Sequence, residues 1–227
     1  MLQLIQTADG SNTIFNSEIG ENYHSKHGAL QESQHVFLKS GLQKFLSVKE
    51  ASGFPAKEVT VLEVGLGTGL NFLLSADFCT QQQIELDYVG IEAFPLNTDM
   101  IRQTGYDQYI SQDLWEKFQG MYPSSINHKV KINSFCELEL VHRELLNFES
   151  PQLFDVIYFD AFAAIHQPEM WSEDAIAHTV SFLKPGGVFV TYAITGNLKR
   201  QLKSLNFKVE KAPGAPGKRE MLRAIKL

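Results

Sequence analysis

A glycine-rich turn constrains the fold of this chain more than any other feature. Gly65, Gly67 and Gly69 follow an apolar run and precede a helical run in the stretch VTVLEVGLGTGLNFLL, residues 59–74. Glycine suits this position because it adopts positive φ and lets a ligand approach the backbone without a Cβ in the way. A strand that passes through such a turn into a helix is typical of nucleotide-binding α/β sheets, although a tight turn without any ligand is an alternative.

The remainder of the chain repeats the strand-and-helix alternation. Strands are predicted at 59–64, 87–92, 137–143, 153–159, 187–193, 206–211 and 220–226, and helices at 68–79, 95–103, 112–120, 170–183 and 195–205. This alternation predicts a Rossmann-like α/β fold with a mostly parallel, seven-stranded sheet. The segment KAPGAPGKR is too short for a crossover helix, so the last strand is predicted to pair antiparallel.

The first 50 residues have a different pattern from the α/β domain predicted over 51–227. Asp9-Gly10 lies between two short apolar-bearing runs and indicates a hairpin. Residues 28–46 carry apolar side chains at spacings compatible with one or two amphipathic helices. The sequence therefore predicts a small N-terminal hairpin and helical extension over residues 1–50.

Charge is distributed unevenly along the chain. The net charge is −6, but ten basic and only two acidic residues lie from Lys184 to Leu227, so this tail carries +8 and the first 183 residues carry −14. Such asymmetry indicates an anionic partner, although a solvated basic face that binds nothing is an equal alternative.

Several protein classes are disfavoured by the sequence. No apolar run approaches the roughly 20 residues that span a bilayer, and the N-terminus lacks a basic region before an apolar core, so we expect a cytoplasmic protein without membrane contact. Cys79 and Cys136 lie far apart and predict two buried free thiols. The histidines show no metal-ligand spacing, and only His35 and His166 are expected near the site.

Two details distinguish the turn from the dinucleotide fingerprint: its Gly-x-Gly-x-Gly spacing is one residue tighter, and Glu63 precedes the first glycine by two positions. This pattern resembles the first motif of Rossmann-like, class I S-adenosylmethionine-dependent methyltransferases. The resemblance implies S-adenosyl-L-methionine as cofactor, with Glu63 near its ammonium end. The three glycines Gly65, Gly67 and Gly69, together with Asn71, are assigned to cofactor binding on the same ground.

Two further strand ends are candidate cofactor contacts. Glu92 ends the stretch LDYVGIE, where a carboxylate accepts hydrogen bonds from ribose hydroxyls. Without the first motif, a solvated loop acid would be the favoured interpretation of Glu92. Glu144 follows the third strand and resembles the place where such enzymes contact adenine. An exposed strand end is an equal alternative for Glu144.

The strand FDVIYF ends on a carboxylate, Asp160, followed by Ala161 and Phe162. Ligands of open α/β sheets bind beyond the carboxyl ends of the strands, so Asp160 is expected beside Glu63 and close to the cofactor's methyl group. It is predicted to engage an incoming amine, and with an ordinary pKa near 4 it would orient the amine rather than act as a base. Phe162 would form an apolar wall or stack on a flat ring. A helix N-cap or a buried ion-pair partner are the structural alternatives for Asp160.

Five separate stretches together resemble one family, the methyltransferase portion of the bifunctional MnmC-like enzymes of tRNA wobble-uridine modification. They are GALQESQHVFL (28–38), LEVGLGTGLNFL (62–73), FDAFAAIHQPEMW (159–171), KPGGVFVTY (184–192) and GKREML (217–222). The resemblance implies methyl transfer to the exocyclic amine of 5-aminomethyl-(2-thio)uridine, with Asp160 engaging the amine. It also implies that the N-terminal extension, including Tyr23 and Glu32, covers the pocket.

The chain departs from this family in three respects. Ala164 stands in place of a usual proline, and Gln167 in place of a common asparagine. The sequence shows no second glycine-rich nucleotide turn for a flavin domain, so we expect a separate enzyme to supply the aminomethyluridine.

Four basic residues are expected to bind tRNA phosphates near the anticodon stem-loop: Lys199, Arg200, Lys218 and Arg219. Two other functions are compatible with the sequence. One is a methyltransferase that acts on a small-molecule or protein amine, and the other is a non-catalytic RNA-binding protein with a methyltransferase fold.

Overall fold

The computed structural model describes all 227 residues. The strands are β1 (Leu2–Gln6), β2 (Asn12–Asn16), β3 (Glu21–Asn22), β4 (Glu58–Val64), β5 (Glu85–Glu92), β6 (Val130–Lys131), β7 (Cys136–His142), β8 (Phe154–Phe159), β9 (Leu183–Thr191), β10 (Phe207–Pro213) and β11 (Glu220–Lys226). The α-helices are α1 (Ala29–Glu32), α2 (Lys44–Ala51), α3 (Leu70–Gln82), α4 (Thr98–Gln103), α5 (Gln112–Ser125), α6 (Glu173–Ser181) and α7 (Gly196–Ser204). A π-helical stretch, Ser33–Gln43, joins α1 to α2, and single 3₁₀ turns lie at Tyr106–Gln108, Leu145–Asn147 and Pro168–Trp171.

The main sheet has eight strands in the order β10-β11-β9-β8-β4-β5-β7-β6. Five central strands run parallel, and β11 pairs antiparallel with both β9 and β10, which confirms the predicted mostly parallel sheet and its antiparallel last strand. The predicted count of seven strands is wrong, because β6 adds an eighth at the edge beside β7. With only two residues, Val130 and Lys131, β6 is too short for any periodicity to reveal it.

The order of the central strands determines where a ligand site is expected in this sheet. β4 lies between β8 and β5, so the chain leaves β4 towards one side of the sheet and returns to its other side later. Ligands of open α/β sheets bind at such a switch point, outside the carboxyl ends of the strands. Glu63 pairs with Tyr158 and Val64 with Phe159, which confirms that the strands leading to Glu63 and Asp160 are neighbours.

Buried apolar side chains cover both faces of this sheet in two clusters. The larger cluster includes Phe37 and Leu42 from the π-helical stretch, which therefore packs directly on the sheet. Gly41 permits this approach, because a Cβ there would lie 2.8 Å from Tyr158 Cε1 and 2.9 Å from Val190 Cγ2. The second cluster lies beneath α6 and α7.

The N-terminal strands form a separate three-stranded antiparallel sheet, β1-β2-β3. The predicted hairpin around Asp9 is confirmed, since Gln6 pairs with Asn12 across it. The Asp9 carboxylate accepts hydrogen bonds from the backbone nitrogens of Ser11 and Gln31, both at 3.0 Å. This carboxylate therefore joins the hairpin to the helix that follows.

The helix predicted at 170–183 is divided in two. Ser172 is extended and its hydroxyl accepts a hydrogen bond from Ala175 N at 3.2 Å, so it caps α6 and ends the 3₁₀ turn before it. Both cysteines are buried and free, as predicted. None of the helices combines the length and the apolar character that a membrane span requires.

Candidate active site

The glycine turn after β4 has the backbone geometry that its composition predicts. Gly65, Gly67 and Gly69 all have positive φ, at 85°, 52° and 78°. A Cβ on Gly65 would lie 2.7 Å from the backbone oxygen of Asp160, and one on Gly67 would lie 2.8 Å from Cδ1 of Tyr23. The turn is thus in close contact with the tip of β8 on one side and with the N-terminal segment on the other.

A cavity of about 340 Å³ opens above this turn. It is bordered by the carboxyl ends of β4, β5 and β8, by the segment 143–146 and by the N-terminal sheet. Seven residues predicted for the site line this cavity: Tyr23, Gly65, Gly67, Glu92, Glu144, Asp160 and Phe162. The structure therefore brings together side chains from five segments that are distant in sequence.

Asn71 connects two of the predicted carboxylates. Its amide nitrogen donates to Glu63 Oε1 at 2.7 Å and to Asp160 Oδ2 at 2.8 Å. Glu63 is fully buried, and its other oxygen accepts a 2.7 Å hydrogen bond from the hydroxyl of Tyr88. Burial, reinforced by the nearby charge of Asp160, raises the pKa of Glu63 well above its usual value. Glu63 thus lies beneath the cavity floor and acts on it through Asn71.

Asp160 does not have the ordinary acidity assumed from the sequence. Burial, together with the negative charge of Glu32, raises the pKa of Asp160 well above its usual value, whereas Asn71 and Lys218 act in the opposite direction. A carboxylate with a raised pKa is a better proton acceptor near neutral pH than a normal aspartate. The sequence analysis limited Asp160 to orienting the amine because it assumed an ordinary pKa, and this assumption is wrong.

Glu92 is positioned by backbone donors at the tip of β5. Gly67 N donates to Glu92 Oε2 at 2.9 Å, and Phe94 N donates to Glu92 Oε1 at 3.0 Å. A carboxylate has about four acceptor sites, so lone pairs on both oxygens are left for a ligand. Burial raises the pKa of Glu92, and these backbone hydrogen bonds partly offset that effect.

A second, smaller cavity of about 240 Å³, here called the acceptor recess, adjoins the first. It is lined by twelve residues from β3 and the segment after it, the end of α1, the tip of β8, the end of β9 and the loop before β11. Five of them also line the larger cavity: Tyr23, His24, Asp160, Ala161 and Phe162. Asp160 therefore lies at the junction between the two cavities.

Tyr23 and Phe162 form the apolar part of this junction, with ring centroids 5.1 Å apart in an edge-to-face arrangement. The backbone around Phe162 is tied on both sides. Trp171 Nε1 donates to the carbonyl oxygen of Phe162 at 2.9 Å, and Ala163 N donates to Glu21 at 2.8 Å. The loop after Asp160 is thereby attached to the N-terminal sheet.

Glu32 and Lys218 form an ion pair at the edge of the acceptor recess, with Lys218 Nζ 2.7 Å from Glu32 Oε1. Glu32 is 5% exposed and also accepts a 2.8 Å hydrogen bond from Ser25 N. The Lys218 ammonium lies 3.9 Å from the centroid of the Tyr192 ring. Lys218 therefore lines the site, whereas the sequence analysis grouped it with Lys199, Arg200 and Arg219 as a residue that binds tRNA phosphates.

The other basic residues expected to bind tRNA lie elsewhere. Lys199, Arg200 and Arg219 line neither cavity, and Arg200 and Arg219 are exposed.

The expectation for the histidines is wrong. His35 bonds to the backbone oxygen of Pro213, and His166 lines neither cavity. His24 lines both, and burial lowers its pKa to about 4, so it is neutral. Its Nδ1 lies 3.0 Å from the hydroxyl of Thr13.

Sequence reasoning missed seven of the twelve residues of the recess, and Glu21, His24 and Tyr192 are among them. Tyr192 follows the end of β9 and could have been found by the strand-end argument that identified Asp160. Glu21 and His24 flank Tyr23 in a two-residue strand and the turn after it, where no periodic signal exists. The structure contains no group of three or more His, Cys, Asp and Glu side chains arranged to bind a metal.

The larger cavity fits S-adenosyl-L-methionine, the cofactor implied by the first motif. Glycine positions without Cβ atoms form its floor, and three carboxylates with raised pKa values lie in or beneath it. These acceptors suit a ligand with ammonium, sulfonium and hydroxyl groups. The buried Oδ1 of Asn71 has no hydrogen-bond partner in the protein. Asn71 lines neither cavity, so this oxygen lies beneath the floor.

Comparisons with known proteins agree with this geometry. A family model described as S-adenosyl-L-methionine-dependent methyltransferase matches residues 108–227. The "tRNA 5-methylaminomethyl-2-thiouridine biosynthesis bifunctional protein MnmC" of Methylobacillus flagellatus is 30% identical over 220 residues, covering 92% of this chain and 33% of that protein. The protein of the same name from Delftia acidovorans is 27% identical over 224 residues, covering 94% and 33%. The chain thus spans about a third of the length of these curated relatives.

Among solved structures, the chain is similar to the crystal structure of MnmC2 from Aquifex aeolicus. The TM-score is 0.76 at 21% identity, and the match covers 99% of this chain and 70% of that one. This likeness extends over the N-terminal sheet as well as the eight-stranded sheet.

Proposed function

Since this chain belongs to the S-adenosyl-L-methionine-dependent methyltransferases, we propose that it methylates the exocyclic amine of 5-aminomethyl-(2-thio)uridine at the wobble position of tRNA. One observation carries the proposal. Asp160 lies where the large cavity meets the acceptor recess, so a single carboxylate faces both the expected methyl donor and the expected amine.

The acceptor recess suits an aliphatic amine. An alkylammonium has no lone pair, so it must lose a proton before its nitrogen can attack a methyl group. Asp160 engages the amine by hydrogen bonding and, because burial raises its pKa, also accepts this proton. Before this transfer, the negative charge of Asp160 holds the ammonium form of the amine in the recess.

Several residues position the donor side. Bound S-adenosyl-L-methionine supplies an electrophilic methyl group, which is the one reactive component the protein itself lacks. Glu92 offers acceptor sites to hydroxyl groups, and Asn71 holds Asp160 in place through its hydrogen bond. Gly65 and Gly67 allow the ligand to approach the backbone, and Glu144 borders the far end of the cavity.

Phe162 and Tyr23 bind the pyrimidine ring of the methyl-accepting nucleotide. Their edge-to-face pair leaves aromatic surface at the junction of the cavities. A flat pyrimidine ring stacks on this surface whichever polar groups the ring carries. The indole of Trp171 fixes the backbone of Phe162 through a 2.9 Å hydrogen bond. Stacking would thus place the substituent of the base beside Asp160.

Transfer RNA as the carrier of this base is supported by the relatives and by charge. The name of these relatives refers to the biosynthesis of a modified tRNA nucleoside. The basic tail, with Lys199, Arg200 and Arg219 outside both cavities, offers contacts to phosphates of an anticodon stem-loop. We further propose that a separate enzyme supplies the aminomethyluridine.

Methyl transfer to defined anticodon stem-loops tests this function. Purified protein and methyl-labelled S-adenosylmethionine are incubated with a stem-loop that carries 5-aminomethyl-2-thiouridine, or with one that carries unmodified uridine. We expect label only on the aminomethyl stem-loop, and equal labelling of both or of neither would refute the proposal. Asp160→Asn is expected to lose turnover by at least ~10²-fold, as the loss of a positioned catalytic group does, while still binding the cofactor.

A further inference from the structure

Lys218 has a fixed position in the acceptor recess because its loop is packed against the N-terminal part of the chain. Gly217 has a φ of 86°, and the position a Cβ would take is occupied by the ring of His27. On the other side of the loop, His35 Nε2 lies 2.7 Å from the backbone oxygen of Pro213. Lys218 N donates to Ala215 O at 2.8 Å and closes the turn. The loop therefore presents Lys218 from a defined backbone.

The ammonium group of Lys218 has one donor left over. A lysine has three N–H groups. One donates to Glu32 Oε1 at 2.7 Å, and the Tyr192 ring lies 3.9 Å away on another side. The Lys218 side chain is 32% exposed, against 6% for that of Glu32, so the remaining N–H is accessible from the recess.

This arrangement suits a neutral acceptor better than a phosphate. The charge of Lys218 is already paired with a buried carboxylate, and Asp160 and Glu21 line the same recess. A phosphate would face these carboxylates and be repelled. A carbonyl oxygen carries no net charge and accepts the free N–H without this repulsion.

We propose that Lys218 is the residue that distinguishes uracil from cytosine in this site, by donating a hydrogen bond to the carbonyl oxygen on the ring carbon beside the aminomethyl-bearing carbon. The inference rests on the proposed function. The aminomethyl group and this carbonyl occupy neighbouring ring carbons, and Asp160 and Lys218 line one recess, so one base can engage both. Stacking on Phe162 and Tyr23 accepts either pyrimidine and supplies no such discrimination.

Cytosine cannot accept the hydrogen bond from Lys218. It carries an amino group where uracil carries the carbonyl, so a donor would face the donor of Lys218. Glu32 is the positioning residue of the pair, because it orients the Lys218 ammonium without lying next to the base in this scheme. Loss of Glu32 is therefore expected to weaken discrimination through Lys218.

The test compares two synthetic anticodon stem-loops, one with 5-aminomethyluridine and one with 5-aminomethylcytidine at the wobble position. For each, kcat/KM is measured with wild-type protein and with Lys218→Met, which keeps the length of the side chain but has no N–H. We expect the variant to lose between about 10-fold and 100-fold more in kcat/KM on the uridine substrate than on the cytidine substrate, the range for a hydrogen bond to a charged group, because the effect of the Lys218 charge on Asp160 is common to both substrates. The uridine-to-cytidine ratio then falls by the same factor.

Three further variants make the test specific. Lys218→Arg retains donors and is expected to keep most of the preference, whereas Glu32→Gln is expected to reduce it. Lys211→Met is the matched control, because Lys211 lies on the same hairpin, pairs with Glu220 at 3.4 Å and lines neither cavity. Binding of S-adenosylmethionine, measured for every variant, reports folding independently of turnover.

The outcomes separate the two proposals. An equal loss on both substrates in Lys218→Met, with the ratio unchanged, would overturn the role of Lys218 and leave the proposed function intact. If Lys218→Met does not bind the cofactor, an unchanged ratio in Glu32→Gln overturns the inference in the same way. Wild-type protein that methylates neither stem-loop would overturn the proposed function, and this inference with it.

Discussion

The amide nitrogen of Asn71 donates a hydrogen bond of 2.8 Å to a carboxylate oxygen of Asp160. The same nitrogen donates to Glu63, so a neutral side chain lies between two acids that would otherwise repel each other. Asn71 comes from the first turn of α3 and Asp160 from the tip of β8. The glycine turn brings these two elements together, and the acidity of Asp160 consequently depends on a residue of that motif.

Asn71→Ala is expected to move the acid limb of the pH–rate profile to higher pH. The Asn71 hydrogen bond favours the ionised form of Asp160, so its loss raises the pKa of Asp160 further. Measuring kcat/KM against pH on the aminomethyl stem-loop checks this. Tyr88→Phe is the control, because it removes the hydrogen bond to Glu63 only, and we expect its acid limb to stay in place. An unshifted limb in Asn71→Ala would contradict the coupling.

The buried carboxylate Glu63 is expected to make the ligand-free protein less stable as pH rises. Its folded-state pKa is raised above the unfolded value, so the protonated form is favoured by folding. The stabilisation is complete below the unfolded value of about 4.3 and is lost as pH rises through the raised folded-state pKa. Urea unfolding from pH 4 upwards measures it, and Glu63→Gln is expected to flatten this decline.

Cofactor binding is expected to reverse that trend. The positive groups of S-adenosylmethionine favour ionised carboxylates, so binding releases protons and becomes tighter as pH rises. Titration calorimetry in two buffers with different ionisation enthalpies measures the number of protons released. Uptake of protons, or no proton exchange between pH 5 and pH 8, would show that cofactor binding does not lower the raised pKa values of Glu63 and Asp160.

The sequence was most informative where a strand ends. Asp160 and Glu92 were predicted because apolar strands that finish on a carboxylate are a local, readable pattern, and the parallel sheet then places their ends together. The resemblance to the MnmC-like methyltransferases, carried by separate short stretches, is confirmed by the comparisons over nearly the whole chain. The α/β fold was likewise predicted from a local pattern, the alternation of apolar strands with helical stretches.

The family resemblance implied that Tyr23 and Glu32 cover the pocket, but the individual contacts that the N-terminal segment makes there were not readable from the sequence. Lys218 meets Glu32 because the loop before β11 folds back on the N-terminal helix, and no local pattern records a contact between residues so far apart. The neutral state of His24 follows from its burial, which depends on the whole fold. The two-residue strand β6 gave no periodic signal.

Gly65→Ala is expected to abolish cofactor binding and to destabilise the protein by more than about 1 kcal/mol. The residue has a φ of 85°, and its new Cβ would lie 2.7 Å from the backbone oxygen of Asp160, which cannot move without shifting β8. Gly120→Ala is the matched control. Gly120 lies in α5 with nothing within 4 Å of its Cβ position, so this change is expected to stabilise by about 0.4–1 kcal/mol. Thermal unfolding of both variants measures the change in stability, and cofactor titration measures the loss of binding.

Lys199→Ala and Arg200→Ala are expected to weaken tRNA binding and to reduce its dependence on salt. Each residue that neutralises a phosphate contributes about 0.7 to 0.9 to the slope of log affinity against log salt concentration, so the double variant should lose close to twice that value. Lys117→Ala serves as the control, since Lys117 is exposed, lies on α5 and pairs with Asp113. Binding of an anticodon stem-loop, measured between 50 and 300 mM salt, gives the slopes. If the double variant and the control keep the wild-type slope, α7 is not the phosphate-binding face, and the tRNA backbone must approach the site from another side.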